Sequence, residues 1–558
     1  MSQVLHGIGA APGVATAPAW LFRPPSGGKD RTGLMKASNA AARELEAVAQ
    51  RLRDAGRHEE AGILDAQALM ATDPELLRSA ERRTDDGSSA SEAILAAGEE
   101  QASALAALGD AVISARAADV RDVVERIARV IRGDVLPSLE RRSIAVATDL
   151  PPSVTAELDP TLLVGIALEA GSPTAHAAIL SRALGIPAVV GVPGLLEAVS
   201  EADLIALDGD AGEVIMEPDE AARQRLAAAA DARAKVDVAD AAMRHTPLAT
   251  RDGHRVTLAA NIGRPEEAAL AAAAGAEGIG LFRTEFMFMG RASAPSVDAQ
   301  EVAYAEALAP FPGRPVVIRL LDVGGDKQLP YLHLEAETNP FLGVRAIRLA
   351  ARHRPLLIDQ LRAILGAARR SAAGVSIMAP MVGDVAGVDL VRDLISDAGG
   401  SNAAVKVGIM IELPAAAILA DQLAEAVDFF SIGTNDLTQY LLAADRTNPA
   451  LAAAQDPMHP AVLRSIRAVI GAGHARGIPV AVCGEMAGDP VAAIVLTGLG
   501  IDELSMDAGS FGQVKRSLAA VSLGDAVVIA NGAAQSRSAA EARSVVSHAL
   551  QHPRGSRS

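Results

Sequence analysis

The sequence predicts an α/β protein in two parts: an N-terminal α/β domain interrupted by a helical bundle, and a C-terminal (β/α)8 barrel. Three observations carry this. Strand-type patterning lies on both sides of a long stretch of helical period, a segment without glycine or proline follows, and eight short apolar runs then recur with helical stretches between them. At 558 residues the chain is too long for one hydrophobic core, and its length suggests roughly two to four domains.

In chain order, Val4 to Phe22 alternates small and apolar residues around Gly7, Gly9 and Gly13, with Pro12 and Pro18 arguing against a helix. From about Leu34 to Leu139 the period is helical, broken by DDGSS at 85–89, and predicts a bundle of three or four helices. Strand patterning returns at Ser143 to Ala147, Leu162 to Ile166, Ala188 to Gly191 and Leu204 to Leu207. Residues 1–30 and 143–220 thus form one α/β domain around an insertion at 31–142. The Ala-rich, charged segment 221–250 is a helical connector. The barrel is expected over 251–540, with strands in VTLAANIG, GIGLFRTEF, VVIRLLDVGG, SIMAPMV, KVGIMIEL, FFSIGTNDL, PVAVCGEM and ELSM, and with 541–558 as a tail frayed over VSHALQHPRGSRS.

Composition narrows the function. The net charge of −17 and the dispersed Lys and Arg argue against nucleic acid as a partner. The single cysteine, Cys483, rules out an intramolecular disulfide and fits a reducing compartment. The N-terminus lacks a basic n-region and an apolar h-region, and no run of about 18 apolar residues occurs. A cytoplasmic protein with no membrane insertion is expected.

Two places carry chemistry. In GSPTAHAAILSR at 171–182, Thr174 is a plausible N-cap and His176 stands at the mouth of a helix, where free N–H groups and the helix dipole suit phosphate. A helix-start histidine in an ordinary hydrogen bond is the bland alternative. In the barrel, Asn261, Arg283, Arg319, Asp322, Glu412, Asn435, Asp436, Cys483 and Glu485 lie in or at the close of the apolar runs. A barrel directs such residues to its C-terminal mouth. Any one of them taken singly is as well explained by a structural salt bridge, but their recurrence at one end of an Ala- and Val-rich core is not. Arg283, Arg319, Arg345 and Arg446 can fork onto phosphate and carboxylate oxygens, and Glu412 with Asp436 suits Mg²⁺. No His or Cys set has zinc spacing, and neither a P-loop nor a dinucleotide fingerprint is present. Residue types alone therefore indicate a Mg²⁺-held phosphorylated small acid.

DFFSIGTNDLTQYLLAADR at 428–446, LFRTEFMFM at 281–289, IRLLDVGGDKQLPY at 318–331, NPFLGVRAIR at 339–348, GIMIELPAAA at 408–417 and CGEMAGD at 483–489 resemble enzyme I. This is the phosphoenolpyruvate-protein phosphotransferase family that starts the bacterial sugar phosphotransferase system. The resemblance runs from HGIGAAPGVA near the N-terminus to about Ala520. It implies that His176 is phosphorylated on Nε2 with Thr155 hydrogen-bonding the ring. It implies that Arg283, Arg319, Arg345, Arg446, Asn435 and Asp436 hold phosphoenolpyruvate, and that Glu412 and Asp436 ligate Mg²⁺. Cys483 would deliver the proton that yields pyruvate. A histidine phosphocarrier protein would dock on the helical insertion and take the phosphoryl group, the α/β domain would swing between barrel and carrier, and the barrel would form a homodimer.

Departures from the family pattern are Ser172, where Gly or Ala is usual, and Gln67, where histidine is frequent. The carrier branch, sugar or nitrogen, stays open, although the lack of a sensory domain before residue 1 favours sugar. Alternatives are a nitrogen-branch regulatory paralogue, a catalytically silent sensor of phosphoenolpyruvate and carrier, and a pyruvate phosphate dikinase or phosphoenolpyruvate synthase. The last needs an ATP-grasp domain, for which no segment is left.

Overall fold

The computed structural model describes residues 3–23, 29–54, 58–106, 111–135, 138–171, 176–289, 291, 293–325, 329–332, 334–335, 337–400, 405–446, 448, 451 and 454–551. The chain divides into two compact units, Met1–Lys235 and Val236–Ser558.

The first unit is built on a sheet of eight strands: β1 (Gln3–His6), β2 (Ile8–Ala11), β3 (Val14–Leu21), β4 (Ser143–Ala147), β5 (Leu163–Leu168), β6 (Ala188–Val190), β7 (Leu204–Asp208) and β8 (Glu213–Met216). Their order is β1-β8-β7-β3-β4-β5-β6-β2. The strands on either side of the helical stretch meet at β3 and β4, which run parallel with Leu21 opposite Val146. Every residue of β4 is buried, which is why SIAVA reads as an unbroken apolar run. Strand β8 is an addition to the expected set. It is reached by a tight turn in which Asp208 Oδ1 accepts from the N–H groups of Asp210 and Ala211, and Gly212 takes φ +69°.

Five helices, not three or four, occupy the insertion: α1 (Leu34–Asp54), α2 (His58–Ala71), α3 (Pro74–Asp85), α4 (Ala90–Ala106) and α5 (Ala111–Arg132). The break between α2 and α3 comes from Asp73 and Pro74. The Asp73 side chain accepts from Glu75 N and Leu76 N, and Pro74 occupies the first turn, where its missing N–H costs nothing. Leu45, Leu64, Leu76, Ile94, Val124 and Ile127 share one buried core. Gln67 is also buried: Nε2 donates to Asp119 Oδ1 at 3.2 Å and Asp122 Oδ2 at 3.1 Å. Ser153 Oγ donates to Asp122 Oδ1 at 2.6 Å, tying this network to the short helix Pro152–Thr155. Burial raises the Asp122 carboxyl.

The helix Glu220–Met243 follows. The connector expected over 221–250 is helical only to Met243. Lys515 Nζ donates to the carbonyls of Met243 and Arg244 at 3.1 and 2.7 Å, and Leu248 and Val256 are already in the barrel core.

All eight expected barrel strands form: β9 (Thr257–Ile262), β10 (Gly278–Phe282), β11 (Pro315–Arg319), β12 (Gly374–Ala379), β13 (Lys406–Ile411), β14 (Phe429–Ile432), β15 (Val480–Val482) and β16 (Glu503–Met506). They close into a parallel barrel in chain order, β16 pairing with β9. Residues such as Phe282, Ile318, Ile377, Ile409, Phe430 and Ile432 pack outward into the main core beneath the surrounding helices. Leu281, Met378, Met410, Phe429 and Cys483 fill the interior.

The tail expected at 541–558 is instead helical to Gln551. The helix Ala539–Gln551 buries Ala542 and Val546, and Arg543 pairs with Asp456 at 2.6 Å and Asp489 at 2.8 Å. Among the described residues no single helix is long and apolar enough to cross a membrane.

Candidate active site

The C-terminal ends of the barrel strands surround a cavity of about 220 Å³. Arg283, Arg319, Asp322, Glu412, Asn435, Asp436, Arg446, Cys483 and Glu485 line it. Of the barrel residues expected at the mouth, Asn261 and Arg345 stand just outside this wall. Asn261 braces it from within, Nδ2 donating to the Cys483 carbonyl at 3.0 Å and Oδ1 accepting from Ser505 Oγ at 2.7 Å.

Asp322 organises the arginines. It lies in the turn after β11 and receives two bonds from Arg345, Nε to Oδ1 at 3.1 Å and Nη2 to Oδ2 at 2.8 Å. Arg319 approaches the same carboxylate at 3.5 Å and pairs with Glu285. Arg345, only 1% exposed, also reaches Asp436 Oδ1 at 3.3 Å, while Arg446 reaches Asp436 Oδ2 at 3.4 Å. The Phe341 ring lies beneath both guanidinium groups, at 6.0 and 5.3 Å. Burial alone would lower Arg319 and Arg345. The carboxylates of Glu285, Asp322 and Glu412 around Arg319, and of Asp322, Asp436 and Glu412 around Arg345, outweigh it and hold both well above the ordinary guanidinium range.

Backbone shape places these groups. Met381 takes φ +60° and donates its N–H to Glu412 Oε1 at 2.6 Å. Ala346, next to Arg345, takes φ +54°, and Ala443, which ends the helix Thr434–Leu442, takes φ +49° and turns the chain towards Arg446. Non-glycine residues in this region cost on the order of 1–3 kcal/mol each, a strain typical of functional sites. Gly484 packs so closely on Thr434 that a Cβ would collide with its hydroxyl. Asn435 and Glu485 consequently meet in a reciprocal pair, Nδ2 to Oε1 at 3.2 Å and Glu485 N to Oδ1 at 3.0 Å.

Glu412 is fully buried, and burial followed by the charges of Asp436 and Asp322 pushes its carboxyl up to about 8. Its Oε2 has no hydrogen-bond partner. A buried, unpartnered carboxylate oxygen facing a second carboxylate is a place where a cation would relieve the cost of charge. No cluster of three or more His, Cys, Asp or Glu suited to a metal occurs among the described residues. The two carboxylates on the cavity wall, Glu412 with its unpartnered Oε2 and Asp436, fit an ion such as Mg²⁺ that takes one or two carboxylates and draws its remaining oxygens from substrate and water. Cys483 lies at the end of β15, 2% exposed. Burial pushes its thiol up to about 11, so it is protonated at neutral pH.

In the first unit, the helix bearing the predicted histidine starts at His176 and runs to Leu184. Ala177, Ala178 and Leu180 are buried, and Arg182 anchors the helix to the Ala10 carbonyl at 2.6 Å. Thr155 is buried at the end of its short helix. Thr174, Ser172 and the His176 side chain lie outside the described residues.

Sequence reasoning did not single out Glu285, fully buried behind Arg319, or Gln360, which receives the Leu321 N–H at 2.9 Å and donates to Thr284 and Tyr304 at 2.9 and 3.2 Å. A signal for Glu285 was available: an acid two residues after Arg283 in an otherwise apolar run. Gln360 has none, since it arrives from a helix far along the chain.

Three family descriptions match the chain in succession: a PEP-utilising enzyme N-terminal region at 6–116, a PEP-utilising enzyme mobile domain at 139–212 and a PEP-utilising enzyme PEP-binding domain at 238–523. The phosphoenolpyruvate-protein phosphotransferase of Streptomyces coelicolor is 41% identical over 99% of this chain and 100% of its own length. That of Bacillus sp. (strain S) is 40% identical over 91% of each. A multiphosphoryl transfer protein of Rhodobacter capsulatus is 40% identical over 97% of this chain and 67% of its own. With this likeness along its whole length and the arginine and carboxylate cavity in its barrel, the chain belongs to the phosphoenolpyruvate-protein phosphotransferase family.

Proposed function

We propose that the protein moves the phosphoryl group of phosphoenolpyruvate to His176 and then to a histidine phosphocarrier protein, releasing pyruvate, in the cytoplasmic first step of the sugar phosphotransferase system. One observation supports this most: Arg283, Arg319, Glu412, Asn435, Asp436, Arg446 and Cys483, drawn from five strand ends, border a single cavity.

Phosphoryl transfer needs alignment and stabilisation of charge on the peripheral oxygens. Arg283, Arg319 and Arg446 face the cavity and take the phosphate and carboxylate oxygens of the substrate, with Asn435 beside them. Arg345, whose fork Asp322 already engages, adds its charge from behind and fixes Asp436. Glu412 and Asp436 would hold Mg²⁺, which when bound neutralises phosphate charge. Neutral imidazole at His176 is a competent nucleophile near pH 7, with Thr155 positioning it and Thr174 capping its helix. The enolate left behind accepts a proton at carbon, and the protonated Cys483 thiol is the donor in the wall. The α-helical insertion is the docking surface for the carrier, and the barrel unit is the homodimer interface.

Incubation with Mg²⁺ and ³²P-labelled phosphoenolpyruvate, followed by peptide mapping, tests this. Label in the peptide containing 171–182, pyruvate in equal amount and loss of both on chelation of Mg²⁺ are expected. Pyruvate without a labelled peptide, or label elsewhere, refutes the assignment of His176.

A further inference from the structure

The barrel interior holds a second cavity, of about 120 Å³, at the N-terminal ends of the strands. Lys406, Asp428, Ser376, Ser431, Ala481 and Glu503 are among its lining residues. Ser431 is the group that connects it with the upper site. Inward and outward side chains alternate along a strand, and Phe429 faces the interior of β14, so Ser431 does too. Ser431 pairs in register with Ala481 on β15, which places inward-facing Cys483 one layer above it. The Ser431 side chain is 1% exposed, and its hydroxyl has no hydrogen bond of good geometry in the resting structure. A buried hydroxyl left in this state is costly unless it serves another state of the protein. The sulfur makes a long contact, 3.7 Å, to the Ile432 carbonyl, which can accept from the thiol but cannot stabilise a thiolate.

We infer that Ser431 is a positioning residue acting through Cys483, its hydroxyl donating to the sulfur and stabilising the thiolate formed when the enolate is protonated. The inference rests on the reading of Cys483 as the acid. In the step concerned, the S–H bond breaks, its proton forms the new C–H bond of pyruvate with the enolate electron pair, and the sulfur keeps the pair it shared. The thiolate then regains a proton from water. Ser431 is one of the few groups able to stabilise that anion from below, and the cavity under it has room for water to satisfy the hydroxyl oxygen. The charged groups near the thiol are Arg319, Arg283 and Glu412, all at the mouth above. The proximity of the Ser431 hydroxyl already favours the ionised sulfur, second only to the opposing effect of burial.

The test uses the full chain, whose single cysteine makes alkylation unambiguous. Iodoacetamide labelling of Cys483 at fixed pH between 8 and 9, read by mass spectrometry, proceeds at a rate proportional to the ionised fraction of the thiol, and Ser376→Ala serves as the control for access. In Ser431→Ala the labelling rate should fall about tenfold, as a rise of about one unit in the thiol requires, and kcat for pyruvate release should fall on the order of tenfold, with KM for phosphoenolpyruvate unchanged. Ser431→Thr should restore both, and Ser376→Ala, which alters the same lower cavity, should move neither. An unchanged labelling rate in Ser431→Ala, or an equal fall in Ser376→Ala, overturns the Ser431 contact while leaving the assignment of Cys483 intact. Full turnover by Cys483→Ala overturns that assignment, and the catalytic part of the inference with it.

Discussion

Asp322→Asn isolates the group that holds the site together. Asp322 is 1% exposed and receives both arms of the Arg345 fork, and Arg345 is equally buried. Removing one partner of a buried pair costs about 3–5 kcal/mol because the other charge is left uncompensated. Asparagine keeps one acceptor, so the lower end, about 3 kcal/mol, is expected, equivalent to roughly 6–9 °C in the barrel transition. The one tryptophan, Trp20, lies in β3 of the first unit and supplies an internal control. Its fluorescence should report an unchanged transition while calorimetry of the same sample shows the barrel transition falling. Adding Arg345→Met should recover at least about 1 kcal/mol relative to the sum of the single variants, since the stranded charge is gone. A barrel transition displaced by less than about 1 kcal/mol, or an equal displacement of the Trp20 signal, would refute the reasoning.

Other outcomes follow from the same physics. Glu503, at the lower end of β16, is pushed up to about 7 by burial and by Glu277 and Asp502. A raised carboxyl favours the fold while it stays protonated, so that contribution is complete below the unfolded value near 4.5 and is lost as pH rises through about 7. Glu503→Gln should therefore stabilise the barrel at pH 8, by up to about 3 kcal/mol, and do little at pH 4.5; equal effects at both pH values would contradict it. Cys483→Ala should still bind phosphoenolpyruvate in calorimetry but release pyruvate far more slowly, and near-normal release would remove the thiol from the chemistry. Asp73→Ala should lower the Trp20-reported transition of the first unit by about 1 kcal/mol through loss of the α3 cap, and no change there would mean that the cap is idle.

The barrel was legible because its strands are buried on both faces: each reads as an apolar run that stops at a polar residue, and the stop is the site. Arg283, Glu412, Asp436 and Cys483 could be picked out for that reason. Groups that reach the site from behind were not legible in this way. Gln360 arrives from the outer helix layer, and a sequence does not show that Asp322 engages the fork of Arg345. In the first unit, helical period identified the insertion but not the number of its helices, since Asp73 and Pro74 divide α2 from α3 without the glycine that marks the break at 85–89. Strand β8 is four residues long and offers too few positions for a period to emerge.

The split of the first sheet bears on how the protein is made. β1 needs β8, with Gln3 opposite Met216, and β2 needs β6, so the opening residues emerge from the ribosome long before their neighbours exist. The helices α1 to α5, whose contacts are local, can condense first and leave three strands waiting with unpaired edges. Slow translation before residue 216 would prolong that exposure, which makes aggregation of nascent chains, rather than instability of the finished fold, the hazard most sensitive to growth conditions.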